Sequence, residues 1–124
     1  MTDSAIERGR APMRRARALA RQAAGRGEVP VGALVLDGRT GRIVAQAHNR
    51  VEIDRDPCAH AELLAVRAAT RALGRKWLSD CDLYVTLEPC AMCAAALALA
   101  RIRRIYFGAY DPKGGGVEHG ARVF

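Results

Sequence analysis

Two short stretches, Cys58-Ala59-His60-Ala61-Glu62 and Glu88-Pro89-Cys90-Ala91-Met92-Cys93, constrain this chain more than anything else in it. Cys90 and Cys93 are spaced so that one helical turn puts both sulfurs on a single metal ion, and His60 offers a third donor. A zinc ion with three protein ligands keeps a fourth position open for water. Glu62, two residues past the histidine, can reach that water without binding the metal. The fold must therefore bring two segments thirty residues apart in sequence to one point. The competing reading is a closed, four-ligand structural zinc, with Cys58, Cys81, His48 or His119 as the missing ligand. The spacing of Cys58 from His60 reads instead as a small buried apolar residue.

A chain of 124 residues, 50% of them apolar, has room for one domain with a modest core, and a single domain over 1–124 is expected. The longest apolar run, Ala91 to Ala100, is too short to span a membrane. The arginine-rich N-terminus has no apolar segment of the secretory kind. Four cysteines could make two disulfides, but Cys90 and Cys93 have metal-ligand spacing, so a reducing cytoplasm is the better expectation. Net charge is +7, and Lys76 and Lys113 are the two lysines among twenty basic residues. Arginine offers bidentate contacts to phosphate, which permits a nucleic-acid partner, while a compositional bias toward arginine and alanine explains the same numbers.

Periodicity supplies the order of elements. Residues 1 to about 10 show no apolar period and are expected to fray. Met13, Ala16, Ala20 and Ala23 predict an amphipathic helix over about 11–25, started by Pro12 and stopped by Gly25 and Gly27. Val31 to Leu36 reads as a buried strand, 37–41 as a hairpin connection, and Arg42 to His48 as a second strand with Ile43, Ala45 and Ala47 inward. Asn49 to Pro57 reads as a polar loop. A helix over about 60–73 follows, with Leu64, Ala65, Ala68 and Ala72 on one stripe and Gly74 ending it. A strand at 83–87, a helix at about 90–100 that is apolar nearly all round, and a strand at 103–108 complete the set; 109–124 shows no clear element. The α-β-β-α-β-α-β order predicts a mixed sheet, an antiparallel hairpin and then parallel strands joined by crossover helices. The all-apolar helix predicts burial on every side, by the sheet and by a partner subunit.

His60 and Cys90 each begin a predicted helix, where free N–H groups and partial positive charge favour a thiolate and an anionic ligand. In this setting the chemistry is hydrolytic. Water adds to a carbon bearing an exocyclic amine, and one carboxylate, Glu62, can carry the proton to a ring nitrogen and then to the departing ammonia. The H-x-E and P-C-x-x-C pair is the signature of zinc nucleobase deaminases. The sequence resembles the bacterial tRNA-specific adenosine deaminase family, which makes inosine at the wobble position. The match runs through Glu28-Val29-Pro30-Val31-Gly32-Ala33, Asn49-Arg50, Ala59 to Glu62, Tyr84 to Cys93, Arg101-Ile102 and Phe107-Gly108-Ala109. That resemblance implies a three-layer cytidine deaminase-like α/β fold with helices on both faces of the sheet. It implies a zinc ion held by His60, Cys90 and Cys93, a proton shuttle at Glu62, and a homodimer. It also implies a tRNA anticodon stem-loop as partner, with Asn49, Ala61 and Asp111 at the substrate. The family normally continues with a further strand and helix, and a position often basic in it is Tyr110 here.

Blander readings stand beside these. Asn49 suits a turn after a strand, Asp111 before Pro112 starts ordinary turns, and Arg101, Arg103 and Arg104 complement a helix C-terminus. Trp77 reads as a packing residue rather than a stacking platform. The alternatives to tRNA editing are deamination of a free base or nucleoside such as guanine, cytosine or cytidine, and a zinc-stabilised RNA-binding module without catalysis.

Overall fold

The computed structural model describes the backbone from Ala5 to Phe124 and side-chain surroundings from Arg10 onward. Residues 1–4, part of the segment expected to fray, lie outside the described residues. The elements run α1 (Ala5–Ala24), β1 (Gly32–Asp37), β2 (Ile43–His48), α2 (Val51–Asp54), α3 (Ala61–Leu73), β3 (Cys81–Val85), α4 (Ala91–Leu99) and β4 (Arg104–Phe107). The strands make one mixed sheet in the order β2-β1-β3-β4. β1 pairs antiparallel with both β2 and β3, and β3 pairs parallel with β4 across the α4 connection.

Three layers follow from the alternation of β1. Leu34 and Leu36 meet Ala16 and Met13 of α1 together with Tyr84, whereas Ala33 and Val35 join Ala61, Ala65, Val66 and Ala69 of α3, Leu83 and Val85 of β3, and Leu97 of α4. Helices thus cover both faces, as the α/β expectation requires. α1 lies so close to β1 that a Cβ on Gly32 would strike the Ala16 carbonyl and sit 2.7 Å from the Ala20 nitrogen.

Several local expectations change. α1 does not start at Pro12; it begins at Ala5 and carries the proline inside. A proline removes one donor while holding a helix-compatible φ, so the helix passes it. The segment 49–57 is not all loop, because it contains the one-turn α2. In β2 the register slips between Val35, opposite Ala45, and Leu36, opposite Ile43, which leaves Val44 without a partner. That bulge puts Ile43 on the Leu36 side of the sheet, and Ile43 is exposed rather than inward. The buried stripe of α3 is Ala61, Glu62, Ala65, Val66 and Ala69, rotated by about a residue from the expected one, and Ala72 is exposed. Within the single chain α4 turns Cys93, Ala94 and Leu97 to the core, and Ala91, Met92, Ala95, Ala98 and Leu99 are open on the face where a partner subunit was expected. No helix among the described residues is long and apolar enough to cross a membrane.

Candidate metal centre and active site

His60 is the N-cap of α3 and Cys90 the N-cap of α4, both in extended backbone, and neither side chain caps its own helix. Both side chains are therefore free to turn toward one point. The Cys90 and Cys93 sulfurs each lie 3.6 Å from His60 Nδ1, and the three donor atoms all fall within 4.8 Å of one another. A tetrahedral zinc with ordinary Zn–S and Zn–N lengths separates nitrogen from sulfur by about 3.5 Å. The donor set therefore fits the ion in spacing as well as in chemistry. Cys58, Cys81, His48 and His119 are not in this group. Cys58 is exposed, not buried as its spacing suggested. His48 bonds through Nδ1 to the Asn49 carbonyl (2.7 Å), and His119 is held by Glu88.

A hydrogen bond from the Cys93 thiol, against the cost of burial, together with the helix amide and His60, brings the Cys90 thiol down to about 5. The thiol of Cys93 is pushed up by its hydrogen bond to Cys90 and by burial beside Glu62.

Glu62 lies in the first turn of α3, 4% exposed, and its Oε1 has no hydrogen-bond partner. Burial pushes its carboxyl up to about 7, with the nearby Cys90 adding to the effect. An orphaned carboxylate oxygen beside a metal site is suited to taking and returning a proton. A cavity of about 440 Å³ opens over this point, lined by Asn49, His60, Glu62 and Cys90 at its base and by Glu28, Val51 and Asp111 among its walls. That size suits a small organic guest.

Asn49 is buried, and its Oδ1 accepts the Ala61 amide (2.8 Å). It thus caps α3 from a distant loop and keeps its NH₂ end as a donor. Ala61 does not line the cavity: its methyl is in the core and its amide is taken by Asn49. Asp111 reaches the rim, but its Oδ1 accepts the Lys113 and Gly114 amides, which makes it a turn residue as well.

Two carboxylates that the sequence reading left without a role hold the rims. Glu28, 5% exposed, accepts the amides of Glu52 and Ile53 and so fixes α2 at the mouth. Glu88 accepts the amides of Asp111, Val117, Glu118 and His119 and the His119 ring (2.8 Å). Burial alone would raise the Glu88 carboxyl, but the His119 ring and these amides outweigh it and hold it at about 2. Gly115 sits where a Cβ would strike that carboxylate, which explains a glycine there. The position of Glu88 just before Pro89-Cys90 was the available signal, yet its partners, four backbone amides and the His119 ring, are all more than twenty residues away.

Donors at tetrahedral spacing on two converging helix ends, with a buried acid alongside, define a zinc-dependent deaminase. Residues 7–109 accordingly match the cytidine and deoxycytidylate deaminase zinc-binding region. Within that class the chain belongs to the tRNA-specific adenosine deaminase family. It is 58% identical over 106 residues to the tRNA-specific adenosine deaminase of Agrobacterium fabrum, covering 85% of this chain and 68% of that protein. The Aquifex aeolicus protein of the same name is 53% identical over 98 residues, and the match covers 79% of this chain and 64% of that one. The chain thus spans about two thirds of the length of both. A solved structure from a study of A-to-I editing by tRNA:A34 deaminases superposes with a TM-score of 0.88 at 52% identity, covering 92% of this chain and 81% of that one. The guanine deaminase of Bacillus subtilis shares the fold more distantly, with a TM-score of 0.77 at 37% identity over 82% of this chain and 64% of that one.

Proposed function

We propose that this chain converts adenosine to inosine by hydrolytic deamination at the wobble position of a tRNA anticodon loop. The observation that carries the reading is the His60–Cys90–Cys93 triangle with the unpartnered Glu62 oxygen beside it, in a chain 58% identical to a tRNA-specific adenosine deaminase. His60 Nδ1 and the two sulfurs would hold a zinc ion, which when bound would bring the pKa of a water toward neutrality. Glu62 takes one proton from the attacking water and passes it to the purine ring nitrogen, then takes the proton left on the added hydroxyl and passes it to the departing amine, so water enters and ammonia leaves. The NH₂ end of Asn49 is placed to contact the base, Ala61 supplies the packed base of α3 at that point, and Asp111 stands at the rim where the RNA backbone would pass. An anticodon loop suits such a site, since its unpaired bases can be turned out into a cavity.

The exposed apolar face of α4 supports a homodimer, the basic balance supports an RNA partner, and cysteines set as metal donors rather than disulfides support a reducing cytoplasm. The single domain extends over 1–124. The test is mass spectrometry of an anticodon stem-loop incubated with zinc-loaded protein, wild type against Glu62→Gln. Wild type is expected to yield inosine, and the variant to keep its zinc while losing roughly 10²–10⁴-fold in turnover. Turnover of free guanine or cytosine without inosine in the stem-loop would replace tRNA by a free base as substrate. Equal product from both proteins would remove Glu62 from the chemistry.

A further inference from the structure

We infer that Glu88 is a positioning residue: its carboxylate seats the 111–119 segment as a wall of the metal cavity, and through that wall it sets how tightly the substrate is held. The inference rests on the function proposed above and adds to it a residue that acts without touching the guest. Glu88 borders the cavity, but its side chain is 0% exposed, so it meets no guest directly. Its side-chain hydrogen bonds all go to one segment. Oε1 accepts the Asp111 amide (3.1 Å) and faces the His119 Nδ1 (2.8 Å), while Oε2 accepts the amides of Val117 (3.2 Å), Glu118 (2.9 Å) and His119 (3.0 Å). Asp111 and Gly114, inside the span so gathered, line the cavity.

Little else holds this wall. The segment contains no helix or strand, and of residues 111–119 only Gly115 and Gly116 are buried. Burial of apolar side chains, which seats α1, α3 and α4, therefore does little here. A carboxylate collecting several N–H donors is a strong substitute, and a network with every member satisfied is rigid. The same segment is registered to the metal donors. Gly116 donates its amide to the Pro89 carbonyl (2.8 Å), and a Cβ on Gly116 would lie 2.6 Å from the Ala91 nitrogen. The wall thus rests on backbone on both sides of Cys90. A wall fixed in advance spares the guest the cost of ordering it, so loosening it weakens binding before it alters the chemistry.

The anchor can be disturbed from either side. Glu88→Gln keeps the shape but replaces one accepting oxygen with a donor that faces N–H groups. Gly115→Ala leaves the carboxylate intact and drives a methyl into it. Inosine formation is measured against anticodon stem-loop concentration for zinc-loaded wild type, both single variants and the double variant, with zinc content and amide hydrogen exchange alongside. Each single variant should raise KM roughly 10- to 100-fold while kcat and zinc content stay near wild type. Exchange should quicken at 111–119 and not in α3. The double variant should be no worse than the weaker-binding single one, because both act on one contact. A Glu88 that only stabilises the fold would lower the active fraction and leave KM unchanged, which would overturn the inference. Losses confined to kcat, losses that track zinc content, or additive losses in the double variant would overturn it too. A wild type that makes no inosine would remove the adenosine reading instead. The anchor would then be judged by exchange, and unchanged protection of 111–119 in Glu88→Gln would remove it as well.

Discussion

Glu62 is asked to be two things at once. In the proposed reaction it must be buried, so that its proton is exchanged with the reacting groups and not with bulk water, and it must ionise near neutral pH. Burial raises its carboxyl from 4.5 to about 7, and that displacement is a cost of folding that the metal-free protein carries. Below pH 4.5 the group is protonated in both the folded and unfolded chains, so stability is unaffected. Between 4.5 and about 7 the unfolded chain ionises freely while the folded chain resists, and stability falls; above about 7 the full penalty applies. The displacement corresponds to about 3 kcal/mol. In chelator-treated protein, Glu62→Gln should therefore match wild type in urea unfolding at pH 4 and be more stable by up to about 3 kcal/mol at pH 8. A stability difference that is the same at both pH values would show that the Glu62 environment is wetter than its 4% exposure indicates.

At the level of elements, the site is made by helix starts. α3 and α4 begin at His60 and Cys90, and each side chain leaves its own cap unmade and turns toward the shared donor cluster. Both starts were readable in the sequence, because a histidine or cysteine followed by an apolar run and closed by Gly74 or Arg101 leaves few other places for a helix to begin. The hairpin was readable for the same kind of local reason. What was not readable depends on partners remote in sequence. Glu28 and Glu88 hold α2 and the 111–119 segment through backbone amides, and no spacing rule announces such a contact. The bulge at Val44 and the rotated stripe of α3 are settled by packing against β1, not by the residues themselves. The approach of α1 to β1 is the most demanding of these packings. Gly32→Ala places a methyl against the Ala16 carbonyl and the Ala20 nitrogen, which are backbone and cannot swing away. The variant should lose roughly 1–3 kcal/mol in urea unfolding while binding zinc normally once folded, since Gly32 meets α1 and none of the three donors. Wild-type stability would mean that α1 slides on the sheet.

Over the whole molecule, one surface is out of keeping with the rest. A chain with net charge +7 carries eighteen arginines, yet α4 presents Ala91, Met92, Ala95, Ala98 and Leu99 to solvent along one helical face. Leu99 alone is 79% exposed. Small residues let another backbone approach closely, and a large apolar side chain at each end can fill a matching gap, so the face suits a second copy better than a passing ligand. The same helix carries Cys90 at its cap and Cys93 in its first turn, which puts any pairing surface within a turn or two of the metal. Leu99→Asp should convert a sedimenting dimer to monomer, because a charge desolvated against its own symmetry mate is repelled from both sides. Folding should be spared, since so exposed a side chain contributes little to the core of its own chain. Zinc content should be unchanged, as Leu99 lies at the far end of α4 from both cysteines. Identical sedimentation of wild type and variant would show that this face is not where copies meet, and the apolar residues of α4 would then need another partner.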